Sequence, residues 1–216
     1  MFTGIITEIG RVAEIRPVGG GVRLIIAAPE STRELHVNDS VSVNGVCQTV
    51  IGTKGATFEV EAVEETLRKT TLGTLRPRSP VNLELPVRLN DRLGGHLVLG
   101  HVDCSGEIRK VEKKENSWLI TIIAPTAFSK YLVPVGSIAV DGISLTVAAL
   151  NKNEFVVSII PHTLEKTTIS AAREGLMVNL EFDIIGKYIE RLLTAGGKGG
   201  ESTLNAEKLR QWGYDV

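Results

Sequence analysis

The chain has 216 residues, 24 basic against 25 acidic side chains and 5% aromatic residues, so it offers no basic block for nucleic acid or an anionic membrane and few rings on which bases could stack. Two cysteines, Cys47 and Cys104, are too few for a disulfide scaffold, and without a C-x-x-C pair neither a zinc site nor thioredoxin-type redox chemistry is expected. Glu8 and Arg11 interrupt the N-terminus and no long apolar run follows, so neither a signal peptide nor a membrane span is expected, and the chain reads as cytoplasmic.

In chain order, Phe2 to Ile15 alternates loosely and predicts a strand interrupted at Gly10, with a turn over Pro17–Gly21 and a returning strand over Val22–Ala27. Glu30 to Asn38 is polar and irregular. Val41 to Ile51 predicts a strand that turns sharply or bulges at Asn44-Gly45, because Asn-Gly takes positive φ at little cost. Gly52–Gly55 predicts a turn, Thr57–Val63 a strand, Glu64–Thr70 a short helix and Val81–Val87 a closing strand. Leu89–Gly95 is polar, ends in Gly-Gly and suits a linker.

Beyond it, Leu97–Val111 and Ser117–Ala124 predict a strand pair, and Pro125 can open a short helix through Tyr131. Ser137–Leu150, Glu154–Ile160 and Met177–Asp183 predict strands. Ile184 to Thr194 sets Ile184, Ile185, Tyr188, Ile189, Leu192 and Leu193 on one helical stripe, fit to pack on a barrel or, the favoured reading, to join subunits. Ala195–Gly200 is glycine-rich but not a P-loop, and Ser202 could cap a last helix reaching Trp212.

The chain repeats itself. Val41-Ser-Val-Asn-Gly-Val-Cys-Gln-Thr-Val50 returns 97 positions on as Ile138-Ala-Val-Asp-Gly-Ile-Ser-Leu-Thr-Val147, which lays Asp141 on Asn44 and Ser144 on Cys47. At the same offset Glu65–Leu72 matches His162–Ile169, and Val81–Leu85 matches Val178–Phe182. Phe2–Ile6 answers Val98–Val102 at an offset one shorter. Blocks sharing one long offset imply duplication of a whole domain. Many short strands with turn signals then predict an all-β chain of two tandem six-stranded barrels, residues 1–88 and 97–183, followed by a helix over 184–195 and a tail over 196–216.

Met1–Ile6, Asn44–Val50, Gly94–His101, Asp141–Val147 and Pro161–Thr168 together resemble the riboflavin synthases of the alpha type, which carry two lumazine-binding repeats; the likeness covers residues 1 to about 195. It implies Greek-key barrels and a C-terminal helix that joins a homotrimer. It implies a dismutation in which two 6,7-dimethyl-8-ribityllumazine molecules yield riboflavin and 5-amino-6-ribitylaminouracil, with no external cofactor or metal. A lumazine synthase shell is left open as a further partner. The runner-up is a lumazine or flavin carrier that binds without turnover; a flavin reductase would need a nicotinamide domain for which the chain has no room, and no G-x-G-x-x-G occurs.

Carried over residue by residue, the resemblance implies a first ligand pocket of Gly4, Ile5 and Ile6, then Cys47, Gln48 and Thr49, then Glu61, Ala62, Val63, Glu64, Glu65 and Thr66. The second comprises Gly100, His101 and Val102, then Ser144, Leu145 and Thr146, then Ile159, Ile160, Pro161, His162, Thr163 and Leu164. Phe2, Ser40, Cys47, His101, Ser144, Thr146 and Asp183 are the positions it ties to activity. Where family members often carry Lys, this chain has Val135 in its pocket segment, so a cationic substrate contact is expected to be lost.

Each of these has a plainer alternative. Cys47 could be a small core residue. His101 could be a satisfied strand histidine, yet its counterpart is Ile5, as expected if a single type of pocket supplies acid–base chemistry. Ser144 and Thr146 could satisfy strand ends, Asp183 could cap the final helix, and Ser40 needs no special explanation. His96 and His162 rank below His101. A Ser-His-Asp arrangement requires an oriented base beside the serine, which sequence alone does not place.

Overall fold

The computed structural model describes residues 1–195 together with 210 and 212; the expected Ser202 helix and most of the tail lie outside the described residues. Residues Met1–Ile184 form one compact unit and Ile185–Val216 another.

The first repeat contains β1 (Glu8–Val18), β2 (Gly21–Ala27), β3 (Ser40–Val43), β4 (Val46–Lys54), β5 (Thr57–Ala62), α1 (Glu64–Lys69) and β6 (Pro80–Glu84). The second contains β7 (Cys104–Lys113), β8 (Trp118–Ile123), β9 (Ser137–Val140), β10 (Ile143–Asn151), β11 (Glu154–Ile159), α2 (Pro161–Lys166) and β12 (Met177–Phe182); α3 (Ile184–Ala195) follows. Each repeat closes into an antiparallel barrel, in the order β1-β2-β5-β4-β3-β6 and, equivalently, β7-β8-β11-β10-β9-β12. Closure leaves no unpaired edge, which suits short strands of this kind.

Strand alternation fills the interiors. Val46, Val50, Phe58, Val60, Val81 and Leu83 are buried in the first barrel. Ile143, Val147, Phe155, Val157, Val178 and Leu180 fill the second. In β4 the inward positions are Val46, Gln48 and Val50, so Cys47 and Thr49 point the other way.

Several boundaries differ from expectation. The two signature stretches are hairpins rather than single strands: β3 and β4 meet at Asn44-Gly45, and β9 and β10 at Asp141-Gly142, with φ of 47° and 77° in the first turn and 45° and 79° in the second. Positive φ at both central residues is the turn whose twist matches paired strands. Gly52–Lys54 stays within β4, where a register shift between Val50 and Gly52 absorbs the bend, and the turn falls at Gly55. Residues 2–7 and 97–103 are arms rather than strands, touching through one antiparallel bridge between Phe2 and Val98. Thr126–Tyr131 is a 3-10 helix. Helix α2 was not expected, although its repeat partner α1 was; Pro161 at its first turn has no N–H to leave unsatisfied.

The hairpin turns abut. A Cβ on Gly45 would lie 2.6 Å from the Gly142 nitrogen, and one on Gly142 would lie 2.8 Å from the Gly45 nitrogen, so both positions exclude side chains. Around them Asn82 and Asn179 stitch the barrels. The Asn82 side-chain amide donates to the Asp141 carbonyl (2.9 Å), and that of Asn179 donates to the Asn44 carbonyl (2.8 Å). Their side-chain oxygens accept from Thr168 N–H and Thr71 N–H, each at 2.7 Å. Every bond of this set crosses between repeats, so the polar groups are satisfied only when the barrels are docked.

Candidate functional site

The arms exchange partners. The Cys47 N–H, at the start of β4 in the first barrel, donates to the Gly100 carbonyl (2.8 Å) on the arm that leads into the second. The Ser144 N–H, at the equivalent place in β10, donates to the Gly4 carbonyl (2.8 Å) on the N-terminal arm. A Cβ on Gly100 would lie 2.6 Å from the Cys47 Cβ, and one on Gly4 would lie 2.6 Å from the Ser144 Cβ; with φ of 77° and 78°, glycine is required at both points. Val102 enters the first core, while Ile6 packs on the second. The grouping expected from sequence order is therefore corrected: Gly4, Ile5 and Ile6 belong with Ser144, and Gly100, His101 and Val102 belong with Cys47.

Two buried carboxylates hold the arms. Glu84 on β6 accepts from the Thr3 N–H (2.6 Å), the Thr3 hydroxyl (2.7 Å) and the Gly4 N–H (2.9 Å). Glu181 on β12 accepts from the Leu99 N–H (2.7 Å) and the Gly100 N–H (3.0 Å). Burial pushes the Glu84 carboxyl up, and the bonds from Thr3 and Gly4 oppose that shift. Both residues were missed as functional positions. A Glu at the same place in each copy of the closing strand, Glu84 and Glu181, is the signal that could have found them.

On the first barrel, Cys47 is half-buried beside Phe2, Val98 and Ala139 and lines a cavity of about 260 Å³. Glu65, Thr66 and Lys69 of α1 face it from one side, and Gly100, exposed His101 and buried Val102 from the other. Glu61, Ala62, Val63 and Glu64 instead line a separate hollow of about 200 Å³ with Val18 and Gly20–Val22. Thr49 is exposed and pairs across the hairpin with Ser40. Gln48 is buried, its amide donates to the Cys47 carbonyl (2.8 Å), and its Oε1 has no hydrogen-bond partner among the described residues. Phe2 is fully buried, where it packs with Val98 and Ala139 against Cys47.

On the second barrel, Ser144 Oγ lies 2.7 Å from His96 Nδ1. His96 is buried, and its N–H donates to the Thr3 carbonyl (3.1 Å), which docks the Gly94-Gly95 turn against the N-terminal arm. Burial holds the His96 imidazole below the usual histidine range, while the negative charge of Asp183 pulls it upward. The sequence gives no sign that Gly95 brings His96 against Ser144, so His96 ranks below His101 on sequence alone. Ile5, nearly half-exposed, borders a cavity of about 430 Å³ that is lined by the N-terminal arm, the first repeat and the linker, with Glu34, Glu84, Arg88 and Gly94 among its walls, and Ser144 and His96 are not part of it. Leu145 packs on the second core, and Thr146 is exposed. Ile159 is buried; Ile160, Pro161 and His162 are exposed, and Thr163 and Leu164 are partly covered. Val135 is 80% exposed with φ of 62°, an unfavourable conformation for a β-branched residue. Among the described residues no group of His, Cys, Asp and Glu is arranged to hold a metal ion, and no helix is long and apolar enough to cross a membrane.

The lumazine binding domain model matches the chain twice, over residues 3–86 and 99–183. The chain is 42% identical over 215 residues to the riboflavin synthase of Actinobacillus pleuropneumoniae, covering 99% of this chain and all of that one. It is 44% identical over 201 residues to that of Mycobacterium bovis, covering 91% of this chain and all of the relative. In fold it is similar to LumP solved with riboflavin, with a TM-score of 0.79 and 20% identity over 84% of this chain and 99% of that one. It is likewise similar to LumP solved with 6,7-dimethyl-8-(1'-D-ribityl) lumazine, with a TM-score of 0.77 and 19% identity over the same shares. Two matched repeats and full-length relatives well above the level of chance place this chain in the riboflavin synthase family of lumazine-binding proteins.

Proposed function

We infer that the chain is a transferase that carries out the riboflavin synthase reaction. Two 6,7-dimethyl-8-ribityllumazine molecules react, one giving a four-carbon unit to the other, to yield riboflavin and 5-amino-6-ribitylaminouracil. The atoms of two substrates equal those of the two products, so the chemistry calls for no external oxidant or reductant.

The observation that carries this reading is the reciprocal construction of two half-sites. Cys47 and His101 come from different repeats, as do Ser144 and Gly4, and backbone bonds bring each set together. A reaction between two copies of one molecule needs two related cradles, and holding the reactants in register supplies a large part of the acceleration. Backbone groups near Cys47 and Ser144 and the hydroxyls of Thr49 and Thr146 would meet the donors and acceptors of the pyrimidinedione edge. His101 would move protons during C–C bond making and breaking. Ser40 and Asp183 would line the same surfaces.

The cavities are open to solvent, so one barrel of one protomer would face the opposite-type barrel of a neighbour, with the two ligands stacked between them. The apolar stripe of α3 would join three chains. The test is to supply purified protein with dimethylribityllumazine, without oxygen or added cofactor. Riboflavin formation over many turnovers is expected; tight binding of an unchanged ligand would favour the carrier reading instead.

A further inference from the structure

We propose that His96 serves Ser144 as its proton acceptor, making the Ser144 oxygen the nucleophile that adds to the lumazine ring in the second half-site. This rests on the reaction proposed above and assigns work within it to a histidine outside the family positions tied to activity.

Three observations support it. The Nδ1–Oγ separation of 2.7 Å is a strong hydrogen bond between a hydroxyl and a ring nitrogen. The imidazole is buried, and burial favours its neutral form, the form that can take a proton. Asp183 is the charged group acting on the ring, and its negative charge favours the imidazolium that proton transfer would create. The His96 backbone N–H is held by the Thr3 carbonyl of the N-terminal arm, where the Glu84 carboxylate is committed to Thr3 and Gly4. A hydroxyl bonded to a buried base, with a carboxylate acting on that base, is the general arrangement that activates a weak oxygen nucleophile.

The arrangement is absent from the first half-site. There Cys47 replaces Ser144, and the arm presents exposed His101 rather than a buried ring. The difference is chemically consistent. A thiol needs less help to become a nucleophile than a hydroxyl, which at neutral pH adds to carbon only if its proton is removed.

The step balances. The Ser144 O–H bond breaks and its proton passes to His96 Nδ1. The oxygen forms a bond to an electrophilic ring carbon of the lumazine, and the π pair of that carbon–nitrogen double bond moves onto nitrogen. Elimination reverses each transfer, so no other reactant is consumed.

His96→Asn is the informative variant, because an asparagine oxygen can occupy the place of Nδ1 and accept the Ser144 hydrogen bond but cannot take the proton. We expect it to bind dimethylribityllumazine within about twofold of the unaltered chain and to lower kcat about a hundredfold, the usual scale for loss of a positioned base. Ser144→Ala should lower kcat similarly, and the double variant should be no slower than the slower single one, as for residues that act as a unit. Retained kcat in His96→Asn, loss of its ligand binding, or multiplying losses in the double variant would each overturn the assignment. Turnover by the unaltered chain separates these results from failure of the proposed reaction, since its absence would remove both.

Discussion

Asn44 and Asp141 occupy equivalent turn positions and receive equivalent bonds, yet only one of them can carry charge. The Asn82 N–H donates to Asn44 Oδ1 (2.7 Å), and the Asn179 N–H donates to Asp141 Oδ1 (2.8 Å). Burial pushes the Asp141 carboxyl up from 3.8 to about 7 against the effect of that bond. The folded state therefore holds a proton that the unfolded chain releases. The resulting stabilisation is fully present below the unfolded value near 3.8 and is lost as pH rises through about 7. Asp141→Asn keeps the acceptor, as Asn44 already does in the first repeat, and removes the charge. The variant should be more stable than the unaltered chain at pH 8, by up to about 4 kcal/mol on the scale of 1.36 kcal/mol per pKa unit, and the gap should narrow as pH falls below about 7 and close only near 3.8. Melting curves across that range check it; a gap that is constant with pH would contradict the buried-charge reading.

At the scale of elements, most strands and the places where the chain turns were legible because the signals are local, although each signature stretch is two strands of a hairpin where one bent strand was expected. Asn-Gly and Asp-Gly announce positive φ, and Val-x-Val alternation announces one buried face. The exchange of arms was not legible. A repeat offset aligns Gly4 with Gly100 and Cys47 with Ser144, but it is silent on whether an arm stays with its own barrel or crosses to the other. That choice is made by bonds between residues far apart in sequence, Glu84 to Gly4 and Glu181 to Gly100. The same limit explains why His96 ranked below His101. Helix α3 shows the opposite case, since its stripe was evident from spacing alone, and Ile185, Tyr188, Ile189, Leu192 and Leu193 are all more than half exposed. An exposed stripe of this kind marks an interaction surface. If α3 joins three chains as proposed, Ile189→Asp combined with Leu192→Asp should turn the trimer expected of the unaltered chain into monomers in sedimentation velocity and abolish turnover while each barrel stays folded; an assembly state unchanged by the substitutions would remove α3 from the interface.

For the whole molecule, duplication explains both its symmetry and its departures from symmetry. The repeats share strand order, hairpin turns and the reciprocal Asn82 and Asn179 bonds, and these fix two cradles in one rigid pairing. They differ beside the hairpins, where Cys47 and His101 line one cavity on the first barrel and Ser144 is bonded to His96 on the second. Such a chain should use its ligand in pairs. Anaerobic product analysis with purified protein tests this most directly. Two dimethylribityllumazine molecules should disappear for each riboflavin and each 5-amino-6-ribitylaminouracil formed, with a constant ratio throughout the reaction. One riboflavin for each lumazine consumed, or a requirement for an added four-carbon donor, would contradict the account.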